Sequence, residues 1–283
     1  MTGTARLGPF RVGRMGYGAM QLAGPGVFGP PRDRDEAIAV LREAVASGVN
    51  HIDTSDYYGP YVTNQIIKEA LHPYPENLTL VSKLGGKRGP KGEWLGAFSP
   101  DELRAGTESN LKHLGLEQLP VVNMRSMHGI HAPGEGSLEV QLETLARLQQ
   151  EGLIGHIGLS NVTAKQIEDG RRIVDVVCVQ NAYNLANRAD DALIDWLAKE
   201  GIAYVPFFPL GGFSPLQSSE LDAVAAGLNA SPMQVALAWL LQRAPNILLI
   251  PGTSSLGHLR ENLAAADLVL DDESLATIAT IAG

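Results

Sequence analysis

The sequence predicts an α/β protein, a (β/α)8 TIM barrel with a short N-terminal β-hairpin. Short apolar runs rich in β-branched residues alternate strictly with longer amphipathic ones. Eight such strand–helix pairs can be counted, the number that closes a parallel barrel. The chain's 283 residues are close to the ~250 that such a barrel needs. No linker, composition shift, heptad or low-complexity stretch divides it, so residues 1–283 are expected to form one domain. The rival architecture, a doubly wound open sheet, lacks the Gly-x-Gly-x-x-Gly turn expected after an early strand.

Residues 6–14 alternate weakly around Gly8-Pro9 and read as the hairpin. Met15 to Gln21 follows as the first core strand, its small residues allowing close backbone approach, and Gly24 to Pro31 is a loop. Asp33 opens a helix whose apolar face uses Ile38, Leu41 and Val45 and which ends at Gly48. The second strand carries His51 and Ile52, and its helix runs through Ile66, Ile67 and Leu71 to a stop at Pro73. Residues 78–82 form a strand ending on Lys83, followed by a long loop, 85–98. Ser99-Pro100-Asp101-Glu102 is a helix start, with a capping serine, proline in the first turn and acids behind it. Strands at 120–124, 154–159, 176–179, 202–205 and 247–250 continue the alternation. Helices are expected at 137–150, 164–173, 190–199, around Ala223, at 232–241, at 256–265 and at 273–281.

The charge balance, 22 basic against 31 acidic residues, gives −9 and argues against a nucleic-acid surface. The single cysteine, Cys178, excludes an internal disulfide, and its apolar neighbours mark it as a core thiol. No charged start followed by an apolar block suggests a signal peptide, and the run from Val235 to Leu241 is too short to span a bilayer. A cytoplasmic protein is expected. The charge and the lack of obvious apolar surface helices fit a monomer, although oligomeric state is not written in the sequence.

In a barrel of this kind the site forms where the strands end. That rule collects Asp53 (strand two), Lys83 (three), Arg125 (four), Ser160 and Asn161 (five), Gln180 (six), Phe207 (seven) and Gly252, Thr253 and Ser254 (eight). Asp53 heads the loop Asp53-Thr54-Ser55-Asp56-Tyr57-Tyr58-Gly59. A tyrosine hydroxyl, with a pKa near ~10, exchanges protons poorly at neutral pH. A nearby ammonium favours its phenolate, and a carboxylate can orient that ammonium. Asp53, Tyr58 and Lys83 thus suit general-acid catalysis at a carbonyl oxygen. No His, Cys or Asp cluster has metal-ligand spacing, so no metal is expected, and His51 is expected to face away from Asp53.

These segments resemble the aldo-keto reductase superfamily over nearly the whole chain. The loop from Asp53 to Gly59 looks like its Asp-Thr-Ala-x-x-Tyr-Gly signature, and Lys83 matches its catalytic lysine. The resemblance implies NADPH/NADP+ as cofactor. Ser160, Asn161 and Gln180 would hold the nicotinamide amide. Phe207 stands where the family usually stacks a tyrosine on that ring. Phe208, Pro209, Leu210 and Gly211 would approach the pyrophosphate. Gly252, Thr253 and Ser254, with Glu261 and Asn262, resemble the adenosine end, and His258 stands where many relatives have an arginine for the 2′-phosphate. The likeness is closer still to the bacterial pyridoxal reductases of the superfamily, in residues 16–34, 205–213 and 216–219, which implies reduction of pyridoxal. Other aldehydes or ketones, or a regulatory nucleotide-binding role with little turnover, are the alternatives.

One departure concerns the histidine that the superfamily usually has at the end of strand four. Here Arg125 stands in that place, and His128 lies about one helical turn later, so both are candidates for the fourth catalytic position. His131 is a weaker candidate. Trp94 and Phe98, on the loop after strand three, either wall the substrate or pack that loop to the body. Tyr58, Trp94 and Arg125 are the expected substrate contacts.

Overall fold

The computed structural model describes residues 3–129, 132–211 and 217–281. His131 lies outside them, as do residues 212, 213 and 216 of the segments compared above. In chain order the elements begin with β1 (Thr4–Leu7), β2 (Phe10–Gly13), β3 (Tyr17–Gly18), α1 (Arg34–Ala46), β4 (His51–Asp53), α2 (Val62–Leu71) and β5 (Thr79–Leu84). There follow β6 (Gly86–Arg88), β7 (Trp94–Gly96), α3 (Pro100–Leu114), β8 (Leu119–Arg125), α4 (Glu139–Gln150), β9 (Ile154–Ser160), α5 (Ala164–Gly170) and β10 (Val176–Gln180). The chain ends with α6 (Asp191–Lys199), β11 (Ala203–Tyr204), α7 (Ser219–Gly227), α8 (Pro232–Arg243), α9 (Leu256–Ala264) and α10 (Asp272–Ala279).

Seven strands form one parallel sheet in the order β11-β10-β9-β8-β5-β4-β3. The eighth position is held by 247–250, which pairs only through single bridges, Ile247 with Tyr204 and Leu249 with Met15. Both bridges carry real hydrogen bonds. The Leu248 N–H donates to the Tyr204 carbonyl at 2.9 Å, and the Gly16 N–H to the Leu249 carbonyl at 2.8 Å. The sheet therefore curls shut as a (β/α)8 barrel. The β1–β2 hairpin plugs its N-terminal end, burying Leu7 and Val12 against Val81, Val121, Val177 and Leu248 inside the barrel.

Period-two alternation sorts the side chains. Ile52, Leu80, Val122, Met124 and Leu159 face outward into the layer shared with the helices. Between them Asp53, Lys83, Arg125, Ser160 and Gln180 are left to face inward at the strand ends. Residues two apart on a strand share a face, so His51 points to the same side as Asp53, one layer lower, and the expectation that it faces away is corrected. A Cβ on Gly16 would lie 2.1 Å from the His51 ring, which shows how tightly that ring is packed. The ring stands near the Gly13 and Leu249 carbonyls without a good hydrogen bond, and burial pushes its pKa down to about 4.

The helix caps follow the sequence. Asp33 accepts from Glu36 N–H, and Ser99 forms a capping box with Glu102. Three expectations change. The stretch read as strand one is a strand only at Tyr17–Gly18, after which Ala19–Leu22 winds into a 3-10 turn. The loop after strand three contains the antiparallel pair β6–β7. The fifth helix stops at Gly170 rather than 173. Among the described residues no single helix is long and apolar enough to cross a membrane.

Candidate active site

Asp53 and Lys83 are the last inward-facing residues of neighbouring strands β4 and β5, whose register sets Asp53 beside Val81. They form an ion pair, both about 95% buried, and the ammonium also donates to the Thr54 carbonyl at 3.0 Å. The second carboxylate oxygen of Asp53 accepts from the Gln180 amide nitrogen at 2.8 Å. One carboxylate thus ties together the ends of three strands. The Lys83 ammonium stands 5.2 Å from the centre of the Tyr58 ring.

Tyr58 is buried, and its hydroxyl is held well above the usual tyrosine range. Burial is the main cause, the Asp53 charge adds to it, and Arg125 is the cation that pulls the other way. Lys83, expected from the sequence to pull the same way, has its charge matched by Asp53. Arg125, half-buried at the end of β8, donates to the Ser160 hydroxyl at 3.3 Å and lies 5.2 Å over the Phe207 ring. His128 is elsewhere. It is exposed, stacks on Phe98 at 5.9 Å, and donates to the Ser137 carbonyl at 3.3 Å. Phe98 accordingly packs the loop to the body and lines no substrate wall.

A cavity of about 100 Å³ opens over these groups, lined by Met20, Tyr57, Tyr58, Lys83, Trp94, Arg125, Met127 and Phe207. Trp94 meets Tyr57 edge-on at 5.7 Å, and Tyr57 meets Tyr58 edge-on at 5.5 Å. The Tyr57 hydroxyl is buried without a hydrogen-bond partner, and burial pushes its pKa up to about 12. Tyr57, Met20 and Met127 were not picked out from the sequence. The Tyr57-Tyr58 doublet was the one available signal, because a turn tight enough to expose one ring holds its neighbour close.

A second cleft, about 260 Å³, runs from Asp53, Tyr58 and Gln180 past Phe207, Phe208, Pro209 and Leu210 to Gly252. Its features suit a nicotinamide dinucleotide. Asn161 does not line it, but its side-chain oxygen is buried with no partner, while its nitrogen donates to the Ser126 and Gly129 carbonyls at 3.1 and 2.6 Å. An unpaired acceptor of that kind fits an amide N–H. The wall at Gly18 and Gly252 is bare backbone, since a Cβ at either would strike a carbonyl oxygen of the other strand at 2.4 and 2.6 Å. Gly211, at φ +89°, closes a turn with its N–H on the Phe208 carbonyl at 3.0 Å. Beyond Gly252, Thr253 is buried, with its carbonyl accepting from the Tyr17 hydroxyl at 2.5 Å. Ser254 and His258 are exposed there, and Glu261 and buried Asn262 lie on α9. These last residues follow the cleft without lining it.

The description "Aldo/keto reductase family" matches residues 14–282. The chain is 66% identical over 276 residues to the pyridoxine 4-dehydrogenase of Escherichia coli strain K12, spanning 97% of this chain and 96% of that one. A thermostable aldo-keto reductase solved with the inhibitor epalrestat has a TM-score of 0.81 at 28% identity, covering 98% of this chain and 99% of its own. An aldo-keto reductase from Klebsiella pneumoniae, solved with NADPH, shares the fold at a TM-score of 0.81 and 24% identity, covering 99% and 95%.

Proposed function

The chain belongs to the aldo/keto reductase family, and from that premise we propose that it is an NADPH-dependent carbonyl reductase acting on pyridoxal. One observation carries the proposal: the Asp53–Lys83 pair, Tyr58 and Arg125 converge on a single cavity with aromatic walls. The substrate follows from the 66% identity to a pyridoxine 4-dehydrogenase.

When bound in the second cleft, NADPH would supply the hydride for the carbonyl carbon. Asn161, Ser160 and the free oxygen of Gln180 would hold its amide, and Phe207 its ring. Phe208 to Gly211 would hold the pyrophosphate, and Gly252, Thr253, Ser254, His258, Glu261 and Asn262 the adenosine end. The chain's own residues do the rest. The Tyr58 hydroxyl, kept protonated by its burial, donates its proton to the carbonyl oxygen as negative charge gathers there. The Arg125 guanidinium cannot give up a proton, so it stabilises that charge by field and hydrogen bond. Asp53 fixes Lys83 and Gln180 so that neither reorganises during the step. Tyr57 and Trp94 exclude water and pack against the substrate ring.

The charge of −9 supports a small-molecule substrate over a nucleic acid as partner. Multiple-turnover oxidation of NADPH with pyridoxal tests the activity. Steady consumption matched by pyridoxine formation is expected. Turnover of other carbonyls but not pyridoxal would remove the substrate assignment. Cofactor binding with no turnover of any aldehyde would remove the enzyme.

A further inference from the structure

Arg88, the last residue of β6, takes no part in the chemistry above, yet it is unusually well held. Its Nε and Nη2 donate to the Gly92 carbonyl at 3.1 and 2.7 Å. Its Nη1 donates to the Val27 carbonyl at 2.9 Å, and Nη2 also to the Gly26 carbonyl at 3.0 Å. The guanidinium lies 3.9 Å over the Trp94 ring and 5.4 Å from the Phe28 ring. One side chain therefore joins the turn of the β6–β7 hairpin to the loop before α1. That loop is in turn tied to the catalytic turn. Gly59 N–H donates to the Val27 carbonyl at 3.2 Å, and Gly29 N–H to the Gly59 carbonyl at 2.9 Å.

The hairpin is otherwise tied to the body by the Lys87–Glu102 ion pair to α3 and by Trp94 against Tyr57. Its strands are three residues each, Leu95 is exposed, and a lone two-stranded ribbon is at best marginally stable in water. Trp94 sits on that ribbon, and the contact relay from Arg88 through Trp94 and Tyr57 ends on Tyr58. The planar fork of arginine supplies both the stacking face and donors in several directions, which a lysine ammonium does not.

We infer that Arg88 is a positioning residue that sets the enzyme's preference for aromatic over small aliphatic carbonyls by holding Trp94 as a wall of the substrate cavity. This rests on the proposed carbonyl reductase activity. A ring on the substrate meets the wall, whereas a short aliphatic aldehyde reduced at the same carbonyl position does not reach it.

The experiment compares kcat and KM for pyridoxal and propanal in wild type, Arg88→Met, Trp94→Ala and the double variant, with thermal melting as a check on folding. In Arg88→Met the pyridoxal-to-propanal ratio of kcat/KM should fall about tenfold, the size of one lost aromatic contact, mostly through KM. In the Trp94→Ala background the same change should leave the ratio where it was, because the two residues act through one contact. An unchanged ratio in Arg88→Met, an equal loss for both aldehydes, or a full effect that persists without Trp94 overturns the inference. If the wild type reduces neither aldehyde, the proposed activity is what fails. The same ratio is then read by calorimetry from pyridoxine and propanol binding to the NADP+-loaded protein. There, equal weakening of both ligands, or of neither, overturns the role of Arg88.

Discussion

Asp53 is legible in the sequence as a carboxylate at a strand end, and Tyr58 and Lys83 as its companions. What that carboxylate does with its second oxygen is not. Its partner Gln180 lies 127 positions away, joined by the closure of the sheet rather than by any local pattern. The balance at Tyr58 was equally hidden, since it depends on how deeply the ring is buried and on which cation stands nearby. Burial and Asp53 raise its pKa, and Arg125 lowers it. Replacing Tyr58 by Phe keeps the ring and removes the proton. Pyridoxal reduction should fall by at least the ~10²-fold typical of a lost general acid, with NADPH affinity nearly unchanged. Arg125→Met should lower turnover and push the tyrosine pKa higher still, moving the alkaline limb of pyridoxal reduction to higher pH. Arg125→His should recover part of the rate, because an imidazole still donates to the carbonyl oxygen. His128→Ala should stay close to wild type, since that ring faces away from the cavity. A ranking under saturating NADPH in which His128→Ala is the most damaged and Arg125→Met nearly silent would return the fourth catalytic position to His128.

At the scale of elements, the helices were readable because their ends are written in residue types, as at Asp33, Ser99 and Pro232. The pieces around the site were not. Glycines at 85, 86, 92 and 96 read as loop, yet the hairpin β6–β7 forms there around a turn in which Gly92 N–H meets the Gly89 carbonyl at 2.9 Å. The eighth strand was expected from its apolar run, and it exists only as two bridges because its neighbours on either side are two-residue strands. The barrel closes where backbone meets backbone at Gly18 and Gly252, and no side-chain rotation can relieve a methyl group added there. Gly18→Ala should cost about 1–3 kcal/mol of stability, the range of an overpacked core, and weaken NADPH binding as the seam opens. Gly227→Ala, at the open end of α7 with nothing within 4 Å of a new Cβ, is the matched control. It should be neutral or stabilising by up to about 1 kcal/mol. Urea unfolding and NADPH titration of the two variants make the comparison. Equal stability for both would mean that the seam tolerates a methyl group and is looser than the contacts describe.

The whole molecule is a tube with a plugged, apolar end and a polar, open one, and the sequence showed the open end far better than the plugged one. His51 belongs to the plugged end. It lies inside the barrel on the strand that carries Asp53, and burial holds its folded pKa near 4 against 6.5 for the free side chain. That difference makes the stability of the tube depend on acid in a definite direction. Above pH 6.5 the imidazole is neutral in both states and the pH changes nothing. Between 6.5 and 4 the unfolded chain takes up a proton that the folded barrel refuses, so stability falls as pH falls, by about 1.4 kcal/mol per unit. Below 4 both states are protonated and this contribution is flat. The total should be about 3 kcal/mol lost from neutral pH to pH 4. His51→Gln carries no titrating ring, so it should be less stable than wild type at pH 7.5, where an imported amide packs poorly, yet lose less on acidification. Unfolding free energies from urea titration at pH 7.5, 5.5 and 4.0 give the two slopes, and the carboxylates common to both proteins cancel in their difference. Parallel slopes would show that His51 takes up its proton inside the fold, which would require water to reach the plugged end of the barrel.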